Sequence, residues 1–98
     1  MDDAEARGVL RRRVAELRRT PYSELCSRWL DQPDCERIPA PSGVEYQVEI
    51  EAVWADQPNG PLLLIASIDD GHFWRALSPI TDSFVMAPDG AITSDAGT

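Results

Sequence analysis

The chain has no lysine, a single histidine, two cysteines and no long apolar run among its 98 residues. Without lysine, every basic side chain is an arginine, a usage that reflects genome composition as much as physics. One histidine and two cysteines leave no Cys/His pair at zinc spacing. His72 would have to recruit Asp69, Gln47 and Glu49 across a hairpin to hold a metal, and a solvated turn histidine is the simpler reading, so no metal site is expected. Cys26 and Cys35 read as free thiols of a reducing compartment, without the cysteine density that marks a disulfide scaffold. The longest apolar run, Leu62 to Ala66, falls far short of the roughly 20 residues a membrane span needs. Met1-Asp2-Asp3-Ala4-Glu5 is acidic where a signal peptide would be basic and then apolar. These absences predict a cytoplasmic protein that neither crosses nor binds a membrane. There is no Gly-x-Ser-x-Gly, no P-loop and no dinucleotide fingerprint. No catalytic residue and no cofactor is therefore assigned.

What is present is acid, unevenly placed. The formal net charge is −8. Residues 1–37 hold eight Arg and eight Asp or Glu and so balance, while residues 38–98 hold one Arg and nine acids. A strongly acidic half repels phosphates and anionic membranes and suits a basic partner. Six arginines lie between Ala4 and Arg19 with two glutamates, and a nucleic-acid helix is one reading of that segment. The acidity of the rest argues against it. Arginine flanks that complement the acidic sheet, within or between chains, are the simpler account, and no nucleic acid is expected as a partner.

Ala6, Val9, Leu10, Val14 and Leu17 recur at helical spacing and predict a helix from about Ala4 to Arg19, capped by Asp2 or Asp3. Arg13 falls inside that apolar arc. Its aliphatic stem is expected to cover apolar surface while its guanidinium reaches water or a carboxylate. Thr20-Pro21 restarts the chain, and Tyr22, Leu25, Cys26, Trp29 and Leu30 predict a second amphipathic helix, stopped by Asp31-Gln32-Pro33. The helical part thus covers residues 4–30. Residues 32–43, rich in proline, read as the connection to a β half within a single domain spanning 1–98.

Val44 to Ala55 alternates apolar and polar residues and predicts a strand with one packed face. Asp56 to Gly60 reads as a turn, and Leu62 to Ile68, apolar on both faces, as a central strand. Asp70-Gly71 is a strong type I′ hairpin signal, leading into a strand from Phe73 to Leu77. Ser83 to Met86 makes a short fourth strand, and residues 91–98 read as a frayed tail. The expected fold class is α+β: two N-terminal helices packed on one face of an antiparallel four-stranded β-meander covering residues 44–87.

A five-residue turn from Asp56 places Trp54 opposite Leu62, Ala52 opposite Leu64 and Ile50 opposite Ala66. A two-residue loop at Asp70-Gly71 would place Ile68 opposite Phe73, Ala66 opposite Arg75 and Leu64 opposite Leu77. One face would then carry Val48, Ile50, Ala52, Trp54, Leu62, Leu64, Ile68, Phe73 and Leu77 beneath the helices. A one-residue slip would flip a strand.

Two functional readings follow from this pairing. Arg13 and Arg75, both pointing between helices and sheet, would line an anion or small-ligand pocket, since guanidinium forks suit carboxylates and phosphates. Alternatively each arginine pairs internally with an acid or stacks on Trp29, Trp54 or Phe73. On the open face, Val53, Leu63, Ile65 and Trp74 would form an apolar patch beside a row of glutamates. Such a patch implies a protein partner or a homodimer, while a third layer supplied by the C-terminal segment is the structural alternative. Glu45, Glu49 and Glu51 suit solubility better than acid–base catalysis.

Tyr22-x-x-Leu25, Tyr46-Gln-Val-Glu-Ile50 continuing to Trp54, Ser67-Ile-Asp-Asp-Gly71 and Pro88-Asp-Gly90 together resemble a family of small uncharacterised bacterial α+β proteins without assigned activity. The resemblance covers most of the chain after residue 20. It rests on strand and turn motifs, and what it implies is a non-enzymatic module with no transferable site. The leading expectation is a small acidic interaction module that self-associates or binds a protein through the open sheet face. The alternatives are an immunity- or antitoxin-like inhibitor masking a basic protein, and the anion pocket.

Overall fold

Helical spacing in the first thirty residues produces two helices in the computed structural model, which describes residues 3–69 and 80–94. Helix α1 spans Asp3–Arg18 and α2 spans Tyr22–Trp29. Asp3 and Glu5 lie in the first turn of α1 and Arg18 in its last, so the charges oppose the helix dipole at both ends. In the link between the helices, Thr20 belongs to the end of α1 and Pro21 to the start of α2. The Thr20 hydroxyl donates backward to the Glu16 carbonyl at 2.9 Å, closing α1. Pro21 stands at the N-cap of α2 with no side-chain capping bond, and its carbonyl accepts from the backbone N–H groups of Glu24 and Leu25.

Five strands form one antiparallel sheet in chain order: β1 (Asp34–Pro39), β2 (Glu45–Trp54), β3 (Leu62–Asp69), β4 (Ile80–Met86) and β5 (Ile92–Ser94). The β2–β3 pairing matches the pattern-based register: Trp54 faces Leu62, Ala52 faces Leu64 and Ile50 faces Ala66. The connecting turn closes with the Ala55 N–H on the Pro61 carbonyl at 2.9 Å.

Three expectations are corrected. First, the proline-rich connection contains a strand. Pro33 and Pro41 lie outside β1 and Pro39 is its last residue, the positions at which a strand tolerates proline. Second, the segment expected to fray contains β5, paired to β4 with a register shift at Val85/Met86. The sheet therefore has five described strands, not four.

Third, β3 does not pair through a two-residue hairpin. Ile68 faces Ile80, Ala66 faces Asp82 and Leu64 faces Phe84, the places assigned to Phe73, Arg75 and Leu77. The Asp70-Gly71 turn, His72, and the proposed strand from Phe73 to Leu77 fall outside the described residues. With β2 on one edge of β3 and β4 on the other, both hydrogen-bonding edges of β3 are occupied.

Both outer hairpins use the same turn. Ala40-Pro41-Ser42-Gly43-Val44 joins β1 to β2, and Ala87-Pro88-Asp89-Gly90-Ala91 joins β4 to β5. In each, the alanine N–H donates to the carbonyl four residues on (2.8 Å in both), and the glycine N–H donates to the alanine carbonyl (2.9 and 2.8 Å). Both glycines have φ +93°, the region that proline-started turns with a following bulge require and that L side chains avoid.

The core is the sandwich between the helices and one sheet face. Tyr46, Val48, Ile50 and Ala52 of β2 and Leu62, Leu64, Ala66 and Ile68 of β3 are buried with Phe84 and Met86 of β4. Against them lie Ala6, Val9, Leu10, Val14 and Leu17 of α1 and Leu25 and Trp29 of α2. Helix α1 covers β3 and β4, and α2 covers β2. No charged residue is fully buried among the described residues.

Candidate interaction surfaces

Every second residue of each strand points away from the helices, so the register defines a second sheet face. On it Val53 stands opposite Leu63, and Glu51 opposite Ile65. Leu63 also faces Val85, and Ile65 faces Ser83. Val53, Leu63, Ile65 and Val85 are half-buried. They gather at one end of β2 and β3. Three of the four candidate interface residues, Val53, Leu63 and Ile65, thus come together as the pairing requires. Trp74 is outside the described residues.

The other end of the same face is acidic. Cys35 of β1 faces Glu49, and Gln47 faces both Arg37 and Asp69. Glu45 lies 3.8 Å from the exposed Arg37 guanidinium. Among the described residues, Glu49 and Glu51 make no ion pair. The Cys35 thiol is pushed up from its ordinary pKa by desolvation and then by the carboxylates of Glu49, Asp69 and Asp34, with Arg37 opposing. A thiol held protonated by its neighbours is a poor nucleophile. No group of three or more His, Cys, Asp or Glu among the described residues is placed to hold a metal ion.

The opposite layer carries the arginines. Arg7, Arg11 and Arg12 on α1 and Arg19 in the turn after it are exposed, and among the described residues none makes an ion pair. Arg13 behaves differently because it sits over β1. Its Nε donates to Glu36 Oε1 at 2.8 Å and its Nη2 to Oε2 at 2.9 Å, while Nη1 reaches Glu16 at 3.1 Å. The Glu36 bonds, partly offset by burial, raise the guanidinium pKa further. The guanidinium also lies 5.8 Å from the centroid of the Trp29 ring, and Arg28 stacks closer at 4.3 Å. Trp29 Nε1 is buried and has no hydrogen-bond partner among the described residues.

Arg13 is therefore internally paired, the second of the two roles its position allowed. Glu36, its partner, was not foreseen as a functional or structural residue. The available signal was the alternation of Asp34, Glu36 and Ile38 between prolines. Arg75, the other arginine of the anion pocket, is outside the described residues. Beside Arg13 lies a half-open depression between α1 and β1, lined by Val9, Arg12, Glu16, Ile38, Pro39 and Pro41, with a volume of about 130 Å³. Ligand pockets for drug-sized molecules run to about 300 Å³ or more, so this one admits only a small ion or a few waters.

Three further contacts hold the layers together. Glu5 in the first turn of α1 accepts from the Tyr46 hydroxyl at 2.9 Å and the Ser42 hydroxyl at 2.7 Å. Tyr46 is otherwise fully buried in the core. At the other end Tyr22 of α2 donates to the Gly60 carbonyl at 2.7 Å, which pins α2 to the β2–β3 turn. Desolvation, then Cys26, pushes the Tyr22 phenol up from its ordinary pKa.

No family model matches the chain, and no curated protein or solved structure matches it either. No helix of the described residues is long and apolar enough to cross a membrane.

Proposed function

We propose that this chain is a small non-enzymatic protein-docking module whose open sheet face receives a cationic protein surface. The observation that carries this reading is the composition of that face. Half-buried Val53, Leu63, Ile65 and Val85 adjoin Glu49 and Glu51, and no described element covers them. An apolar patch bordered on one side by charge is suited to docking. The charge margin selects partners of opposite sign. The inhibitor reading, in which the chain masks a basic protein, is one form of the same docking and draws on the same acids. Membership of an uncharacterised bacterial family and a cytoplasmic location belong to this proposal as well.

The absence of lysine supplies a direct test. A carbodiimide joins a carboxylate to a nearby lysine amine, and this chain has none. A cross-link from Glu49 or Glu51 to a lysine therefore reports a different protein docked on the sheet face. The docking reading predicts a stoichiometric protein, cross-linked at these glutamates or associated as copies of the chain, that Leu63→Glu loses and Ser23→Ala, at an exposed position of α2, retains. Identical company for the wild type and Leu63→Glu, or none with either, defeats it.

A further inference from the structure

We infer that the cationic surface received by the sheet face is helix α1 of a second copy of this chain, so that copies stack head to tail. The inference rests on the docking reading above and names its partner. The two faces of one molecule are opposite in charge. The outer sheet face presents Glu49 and Glu51, and the solvent side of α1 presents Arg7, Arg11 and Arg12, with Arg19 exposed in the turn just past its end. None of these six makes an ion pair among the described residues.

The spacings match. Arg7 and Arg11 are one helical step of four residues apart, a rise of about 6 Å. Glu49 and Glu51 are two strand residues apart, about 6.7 Å. A helix laid along β2 brings the two pairs into register.

The apolar parts match as well. Between the arginine rows of α1 lie the exposed Ala4 and the half-buried Gly8 and Ala15. A Cβ built at Gly8 would meet nothing within 4 Å, so the chain's own packing gives no reason for a glycine there. A glycine inside a helix costs about 1 kcal/mol relative to alanine, and what it offers is close approach by another surface. On the sheet, Ile65 stands opposite Glu51 and Leu63 one step further along, opposite Val53.

Self-association through the sheet face alone, copy against copy, lacks this match because it sets acids toward acids. Head-to-tail contact leaves an unused face at each end of every assembly. It therefore continues, as a ring or filament, beyond the dimer. At physiological salt, interactions between exposed charges are screened beyond about 8 Å, so the contacting faces outweigh repulsion between whole molecules of like net charge.

The test uses sedimentation equilibrium of the full chain and two charge-reversed variants, Arg7→Glu/Arg11→Glu and Glu49→Arg/Glu51→Arg, each checked for native circular dichroism. The wild type should exceed its monomer mass of 10.9 kDa, without levelling at twice that value. Its association constant should fall roughly tenfold or more between about 0.1 and 0.5 M salt. Each variant alone should stay monomeric, and an equimolar mixture should associate again. A monomeric wild type, association by Arg7→Glu/Arg11→Glu alone, or a mixture that stays monomeric would each overturn the head-to-tail stack. Should the pair Glu49→Arg/Glu51→Arg not fold, Glu49→Gln/Glu51→Gln takes its place, with at least a tenfold loss of association expected and an unchanged constant counting against the stack. A wild type that is monomeric yet carries lysine cross-links at Glu49 would keep the docking reading and remove only this partner.

Discussion

Arg13 and Glu36, 23 residues apart, meet as a two-point fork that ties helix α1 to the edge strand β1. Both side chains are largely withdrawn from solvent, at 17% and 24% exposure. A guanidinium and a carboxylate joined by two parallel bonds form one of the stronger polar contacts available to a protein. The fork also supplies the charge partner that lets an arginine occupy the apolar arc of a helix.

Breaking one side of the fork should cost more than removing both. Glu36→Met alone takes the two-point partner from a half-buried guanidinium, leaving it the bond to Glu16, and is expected to destabilise by about 1–3 kcal/mol. The double variant Arg13→Met/Glu36→Met should recover much of that loss, because methionine matches the stems in volume. Urea unfolding of the wild type, both single variants and the double variant gives the coupling directly. Additive losses would show that the fork contributes packing alone.

Glycines in open space should respond in opposite directions. A Cβ meets nothing within 4 Å at Gly8, Gly43 or Gly90. Gly8 sits within α1, so Gly8→Ala should stabilise the monomer by roughly 0.5–1 kcal/mol. Gly43 and Gly90 both have φ +93°, and alanine at either should destabilise by about 1 kcal/mol or more through backbone strain. Thermal melts of the three variants separate the effects, and a uniform sign would contradict the assigned backbone conformations.

The Cys35 thiol should react slowly near neutral pH. Desolvation and neighbouring carboxylates oppose its thiolate, so alkylation should accelerate only at a pH above that of a free cysteine. Glu49→Gln removes one opposing charge, which lowers the thiol pKa and raises the rate at fixed pH. Iodoacetamide kinetics on a Cys26→Ala background read this out. No change on Glu49→Gln would mean that Glu49 does not act on Cys35.

The β3–β4 register has its own test. Ser67 stands opposite Thr81, with their hydroxyl oxygens 3.3 Å apart. Ser67→Cys/Thr81→Cys, on a Cys26→Ala/Cys35→Ser background, should form a disulfide on mild oxidation and raise the melting temperature relative to its reduced form. Failure to oxidise in the folded protein would contradict this register.

The amino-acid sequence determined the local periodicities. Helical spacing of Ala6, Leu10, Val14 and Leu17 marked α1, and strict alternation from Tyr46 to Trp54 marked β2. The Asp56–Gly60 turn was short enough to carry the register into β3 residue by residue. These features are legible because they depend on neighbours in the chain. Three quantities depended on distant parts of the chain and were decided only in the tertiary structure.

The first was β1, whose Asp-Cys-Glu-Arg-Ile-Pro composition is poor for a strand. As an edge it needs a partner on one side alone, and β2 supplies it. The second was the identity of the strand beside β3. Asp70-Gly71 is a strong local turn signal, but the edge of β3 was taken by Ile80–Met86, whose Phe84 and Met86 complete the core under α1. The third was the partner of Arg13, because Glu36 reaches it only once β1 is in place. The repeated Ala-Pro-x-Gly turn was the overlooked sequence signal for both edge strands. A turn proposes a hairpin locally, but which strand fills an open edge depends on what the whole core gains from it.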